Sequence, residues 1–288
     1  MARTRKERPR PRDGWAELLY PGRQLGLRLD LQELPERVLH AVRAYRSWEG
    51  LSHWGALQQS FQHAGYLDRV RWTLNEHLER LGVPEARRNN TALRQAAGQE
   101  LEALTRLQIV IYNPDGTQRL TGPAVAVLLR GERVRDQVST LEAMDLIPHP
   151  IFREGLLRAD GTLAKLWAPA EPLVLHLDPR RSGHALALGL VLPIHWAWAE
   201  ASGLQAVSLT GARLLEAAGI EVPRRSPERV WDTLRRALEV LASREALGPY
   251  GWHHEGPAWS LLGRCTLASP RANRALALAE VEGVPIEL

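Results

Sequence analysis

AGYLDRVRWTLNEHLERLGVPEARRNNTALRQAAGQELEAL, residues 64–104, is followed at an offset of 137 by ASGLQAVSLTGARLLEAAGIEVPRRSPERVWDTLRRALEVL, residues 201–241. Aligned without a gap, the two stretches agree at twelve of 41 positions, against roughly three or four expected from composition. The identities include Val70/Val207, Thr73/Thr210, Leu78/Leu215, Gly82/Gly219, Arg87/Arg224, Arg88/Arg225, Leu101/Leu238 and Leu104/Leu241. Two copies are too few for a solenoid and specify two related domains in tandem.

Each copy reads as the same order of elements. In the first, Trp54, Leu57, Phe61 and Ala64 fall at helical spacing, so a helix covers about 51–64. An extended piece follows at 67–72. Thr73 caps a short helix that Gly82 ends, and 83–89 form a polar turn. Asn89 or Asn90 caps a longer helix with Leu93, Ala97, Leu101 and Leu104 on one face. The β-rich run 109–112, the turn 113–116 and a returning apolar run at 124–129 read as a hairpin. In the second copy a helix lies within about 186–202, Thr210 caps the short helix, and Ser226 and Pro227 open the longer one. Val230, Leu234, Leu238 and Leu241 form its stripe, and a Gly-rich hairpin spans roughly 246–267.

Helix, strand, short helix, turn, longer helix and hairpin is the order of a winged helix, whose third helix enters the major groove. The fold expected is therefore α+β, with two tandem winged-helix domains. The boundaries read as a basic arm at 1–30 without fixed structure, a first domain at 31–135, a strand-rich connection at 136–183 and a second domain at 184–288. A further helix at 35–48 precedes the first module, and 141–147, 152–157, 163–167 and 173–177 read as strands.

The charge supports a polyanionic partner only locally. Of 288 residues, 37 are basic and 33 acidic, a net of +4. Residues 1–12 carry six basic side chains and Glu7, a net of +5, so the remainder is +4 − 5 = −1. Only Lys6 and Lys165 are lysines, and arginine forks suit phosphates and guanine edges. The candidate DNA-binding residues are Arg224, Arg225, Arg229, Thr233 and Arg236 in the second module. In the first they are Arg87, Arg88, Asn90, Arg94 and Gln95, with Arg3 and Arg5 in the arm.

Other classes lack their signatures. The lone Cys265 excludes an internal disulfide and a thiolate zinc cluster. There is no phosphate-binding G-x-x-x-x-G-K-[ST] loop, no G-x-G-x-x-G after a strand and no H-E-x-x-H. The basic start leads into no apolar run, and no stretch approaches the roughly 18 apolar residues of a membrane span. The expectation is a cytoplasmic protein with no catalytic residues, metal or cofactor.

The tandem order, the passage Leu104-Thr105-Arg106-Leu107-Gln108-Ile109-Val110-Ile111-Tyr112-Asn113-Pro114-Asp115-Gly116, the stretch from Leu177-Asp178-Pro179-Arg180-Arg181 through Leu188-Gly189 and the basic tail resemble plasmid replication initiators of the Rep type. The resemblance covers about 35–267. It implies binding to repeated origin sequences, mainly by the second module. It also implies a homodimer in exchange with monomer through the first module, and recruitment of a host initiator and helicase. The residues alone leave two alternatives open: a tandem winged-helix transcriptional or partition regulator, and a protein-interaction scaffold.

Overall fold

The computed structural model describes residues 16–20, 23–29, 34–64, 69–112, 118–135, 138–149, 156–157, 163–164, 171–200, 203–220, 228–253 and 263–272. Side chains are described from Trp48 onward, except at 109–121, 135, 138, 156–157, 163–164, 198 and 228. The chain is α+β.

Its elements run β1 (Ala16–Tyr20), β2 (Arg23–Leu29), α1 (Leu34–His63), β3 (Val70–Thr73), α2 (Leu74–Arg80), α3 (Glu85–Arg88), α4 (Thr91–Leu104), β4 (Gln108–Tyr112), β5 (Gln118–Pro123), β6 (Val125–Arg135) and β7 (Val138–Pro148). Then come β8 (Leu156–Leu157), β9 (Leu163–Ala164), α5 (Pro172–Leu175), α6 (Pro179–Glu200), β10 (Ala206–Thr210), α7 (Gly211–Ala217), α8 (Glu228–Ser243), β11 (Tyr250–His253) and β12 (Arg264–Ala268).

The sequence repeat is a structural repeat, held at matching positions. Thr73 Oγ1 accepts from the Glu76 N–H and Thr210 Oγ1 from the Arg213 N–H, each at 3.3 Å. Each hydroxyl satisfies one of the amides a helix start leaves open. Gly82 and Gly219 take φ +71° and +63°. There Val83 N–H reaches the Leu78 carbonyl at 2.9 Å, and Ile220 N–H reaches the Leu215 carbonyl at 2.8 Å. This left-handed turn satisfies the last carbonyls and needs glycine.

Each copy also builds a three-stranded antiparallel sheet of the same order, β3-β7-β6 in the first and β10-β12-β11 in the second. Trp72 pairs with Met144 as Leu209 pairs with Cys265, and all four are buried. The hairpin that completes the first copy is therefore β6–β7, and the expected pairing of 109–112 with 124–129 is corrected. Residues 118–123 return instead, and β4–β5 joins β1 and β2 in a separate sheet of order β2-β1-β4-β5. Ala124 ties the two hairpins, its N–H to the Leu107 carbonyl and its carbonyl to the His149 N–H. Strand β5 is Gln-Arg-Leu-Thr-Gly-Pro, too polar to stand out by periodicity.

Three further differences follow from local chemistry. Helices expected at 35–48 and 51–64 are one helix, α1, because Trp48-Glu49-Gly50-Leu51 holds no proline to interrupt the ladder. Residues 173–177, expected as a strand, begin with the short helix α5, started by Pro172 in the first turn. Residues 16–20 and 23–29 are paired strands, so the expected arm without fixed structure is corrected there. Residues 1–15 lie outside the described residues.

One continuous hydrophobic core runs through both copies, from Leu51 and Trp54 to Leu241 and Leu267. Helix α4 packs on α1, α1 on α6, and α6 on α8. Glycines set the close approaches along this row. A Cβ at Gly183 would lie 2.3 Å from the Trp48 ring, and one at Gly55 would lie 2.7 Å from Leu175. Across the same seam Arg180 Nε meets Glu49 at 2.6 Å.

Among the described residues, His77 is the fully buried polar group of this core. Trp72 Nε1–H donates to its Nδ1 at 3.2 Å, and its Nε2 lies 2.9 Å from His53 Nδ1. With Nδ1 accepting, the neutral ring carries its proton on Nε2 and donates it to His53. A second proton would have no acceptor. Burial, then the charges of His53 and Arg80, hold the His77 pKa well below its usual 6.5.

Two outcomes are expected. Gly183→Val should lower stability by about 1–3 kcal/mol, while circular dichroism still shows one thermal transition, because both copies share the core. The His77 contribution is present above its unfolded pKa of 6.5 and is lost as pH falls below it toward the depressed folded value. Denaturant unfolding between pH 7 and 5 should therefore show a decline that His77→Gln reduces.

Candidate nucleic-acid interface

The longer helix of each copy buries one stripe and leaves the opposite side to solvent. In α4, Ala97, Leu101 and Leu104 are buried, and Thr91, Gln95 and Gln99 are exposed one turn apart. In α8, Val230, Leu234, Leu238 and Leu241 are buried, and Arg229, Asp232, Arg235 and Arg236 are exposed. Asp232 and Arg235 pair with each other. The side chains of Arg229 and Arg236 make no hydrogen bond or ion pair with the described residues, nor do those of Arg87 and Gln95. Gln95 is exposed on α4, Arg229 and Arg236 on α8, and Arg87 in the short helix α3 that precedes α4.

Four other candidates are engaged inside the fold. Arg94, expected on the flank of the exposed face, is only 5% exposed and is corrected to a structural role. The reason lies one turn on. A Cβ at Gly98 would meet Leu141 Cβ at 3.4 Å, so this side of α4 lies against β7. There Arg94 Nη2 meets Glu142 at 2.7 Å, while Nη1 donates to Asn75 Oδ1 at 2.6 Å and to the Arg88 carbonyl at 3.0 Å. The corresponding position of α8 holds Trp231, which packs edge-on against Trp252 of β11. Both copies thus fasten the long helix to the hairpin by the same position, one with an ion pair and one with an aromatic pair.

Arg88 is half-buried. Its Nε donates to the Val83 carbonyl at 2.8 Å, and its Nη1 lies 3.5 Å from Glu79, which closes the turn between α2 and α4. Asn90 caps α4, its Oδ1 accepting from the Leu93 N–H at 3.0 Å. Thr233 donates its hydroxyl to the Arg229 carbonyl at 3.0 Å. Arg3, Arg5, Arg224 and Arg225 lie outside the described residues.

The sequence reading missed the partners that position α4. Asn75 and Glu142 hold Arg94, and Glu142 lies 48 residues from it with no local signal linking them. On the adjoining strands the Arg69 guanidinium, then that of Arg71, holds the Asp145 carboxyl below the usual carboxylate range. Arg71 stands opposite Asp145 in the β3–β7 register. Cys265 is no nucleophile at neutral pH, since burial pushes its thiol up to about 12. Among the described residues no helix is long and apolar enough to cross a membrane, and no three His, Cys, Asp or Glu side chains gather as a metal site would need.

No family model matches the sequence, and no curated protein matches it. Among solved structures, "Crystal structure of SeMet derivatives of domain2 and domain 3 of RctB" is similar, with 12% sequence identity and a TM-score of 0.46. The match covers 78% of this chain and 82% of that one. A likeness of this size identifies neither a family nor a function.

Replacing the two arginine types should have effects of very different size. Arg94→Leu leaves the partly buried Glu142 with only the longer Arg133 contact, at 3.5 Å, strips Asn75 and the Arg88 carbonyl of their donor, and should cost about 3 kcal/mol. Arg87→Ala should change stability by less than about 0.5 kcal/mol. Chemical denaturation of the two variants distinguishes the buried clamp from the exposed arginine.

Proposed function

We propose that this protein is a cytoplasmic, sequence-specific binder of double-stranded DNA, built from two tandem winged-helix modules. The modules are α1–β7 and α6–β12, with α4 and α8 as the reading helices and β6–β7 and β11–β12 as the wings. One observation carries the reading. The long helix of the first copy turns amides outward and that of the second guanidinium groups, and the side chains of Gln95, Arg229 and Arg236, with Arg87 just before α4, are unengaged by the described fold.

The chemistry of those groups fits DNA. Glutamine amides can pair bidentately with adenine and arginines with guanine or phosphate. The two reading helices are joined through the packed row α4-α1-α6-α8. Successive major grooves on one face of a duplex repeat every ~34 Å. In this reading one chain addresses a single stretch of DNA with both helices.

Within this reading, the resemblance to Rep-type plasmid replication initiators favours repeated origin sequences as the target. The resemblance also favours a host initiator and helicase as partners. The role is binding, without catalysis.

Selection of duplexes from a random pool tests the proposal. A recovered motif is the expected result, and enrichment of none would overturn it. By fluorescence anisotropy on the recovered duplex, Arg229→Ala with Arg236→Ala should weaken binding about tenfold or more. If both arginines touch phosphates, the slope of log affinity against log salt should fall by about 2. Unchanged affinity would remove α8 from the interface.

A further inference from the structure

We propose that the two long helices read bases of opposite kind, α4 an A·T half-site through Gln95 and Gln99, and α8 a guanine-bearing half-site through Arg229 and Arg236. The inference rests on the duplex-binding reading above and names the sequence class that each helix takes.

The two helices can be compared position by position, because the repeat holds them in one register. Ala97, Leu101 and Leu104 are buried in α4 as Leu234, Leu238 and Leu241 are in α8. Arg94 and Trp231 are likewise buried at one shared position. The stripe that faces solvent then falls at 92, 95, 96 and 99 of α4, and at 229, 232, 233 and 236 of α8.

The chemistry of that stripe differs between the copies. In α4 it is Ala92, Gln95, Ala96 and Gln99, all exposed. Between 91 and 99 this helix exposes no charged side chain, since Arg94 is clamped against Glu142. In α8 the stripe is Arg229, Asp232, Thr233 and Arg236. Asp232 is held by Arg235, and the Thr233 hydroxyl donates to the Arg229 carbonyl. That leaves two guanidinium groups on α8 against two amides on α4. None of the four makes a hydrogen bond with the described residues.

These groups match different base edges. A primary amide carries an acceptor and a donor side by side. Adenine offers the complement, the N6 donor and the N7 acceptor, whereas guanine offers two acceptors, O6 and N7. Facing guanine, the amide oxygen would oppose O6 and one of its two bonds would be lost. The methyl groups of Ala92 and Ala96 suit the C5-methyl of thymine. Amides and methyls together therefore fit A·T pairs on both strands. A guanidinium has donors only, which suits the two acceptors of guanine and opposes the N6 donor of adenine. At 1.5 Å per residue, Gln95 and Gln99 stand about 6 Å apart along the helix, so they reach neighbouring base pairs rather than one.

Selection of duplexes from a random pool, run on the wild-type protein and on variants, tests the assignment. The wild-type motif should have two parts, one of A·T pairs and one bearing guanine. Gln95→Ala with Gln99→Ala should abolish the adenine preference in the first part alone. Affinity for the selected duplex should fall about tenfold or more, with the slope of log affinity against log salt unchanged, because no charge is removed. Gln95→Arg should turn one adenine position into guanine. Arg229→Ala should relax one guanine position in the other part. All these side chains are exposed, so melting temperatures should stay near wild type.

A motif of like composition in both parts would overturn the assignment, as would glutamine variants that keep the wild-type preference. Arginine variants that weaken every duplex equally would overturn it too, because that is the mark of a phosphate contact. In each of those cases duplex binding stands. A wild-type protein that enriches no motif would instead remove the duplex reading, and this assignment with it.

Discussion

The seam between α1 and α6 is the contact on which the rest of the structure depends. Trp48 lies against Gly183, Leu175 and Leu190 close over Gly55, and Arg180 meets Glu49 across the same surface. Close approach at two glycines lets two helices bury their apolar sides against each other, and dispersion and desolvation act over the whole length. Both repeats hang their long helices on this seam, α4 on α1 and α8 on α6. Without it there would be two small sheets joined by a tether. With it there is one core, and α4 and α8 are held in a fixed relation.

Each copy then needs a second fastening, from its long helix to its hairpin. The first uses Arg94 against Glu142, and the second uses Trp231 against Trp252. The two solutions differ in physical character. A largely buried ion pair is strict about geometry, since either charge left alone would be costly. The aromatic pair tolerates small shifts. The first helix is thus the more rigidly set of the two against its sheet.

What the sequence made legible was local. Thr73, Thr210, Gly82 and Gly219 are recognisable because a cap or a left-handed turn is decided by one residue and its neighbours. The stripes of α4 and α8 follow from their period. The hairpin of the first copy was misread because the choice between β5 and β6 as partner of β4 is decided by non-local pairing. Strand β5 is polar, and the apolar run at β6 belongs with β7. Arg94 was misplaced for the same reason, since helical spacing puts it at the edge of the stripe and only the approach of Leu141 and Glu142 buries it. The four exposed groups at 87, 95, 229 and 236 needed no tertiary information to be found.

The central claim is that two repeats, fixed by one seam, address one duplex together. Hydroxyl-radical footprinting of the protein on a selected duplex tests it most directly. Two protected stretches about one helical turn apart, on one face of the duplex, are expected. A single protected stretch, or two whose spacing varies from one bound site to another, would contradict it.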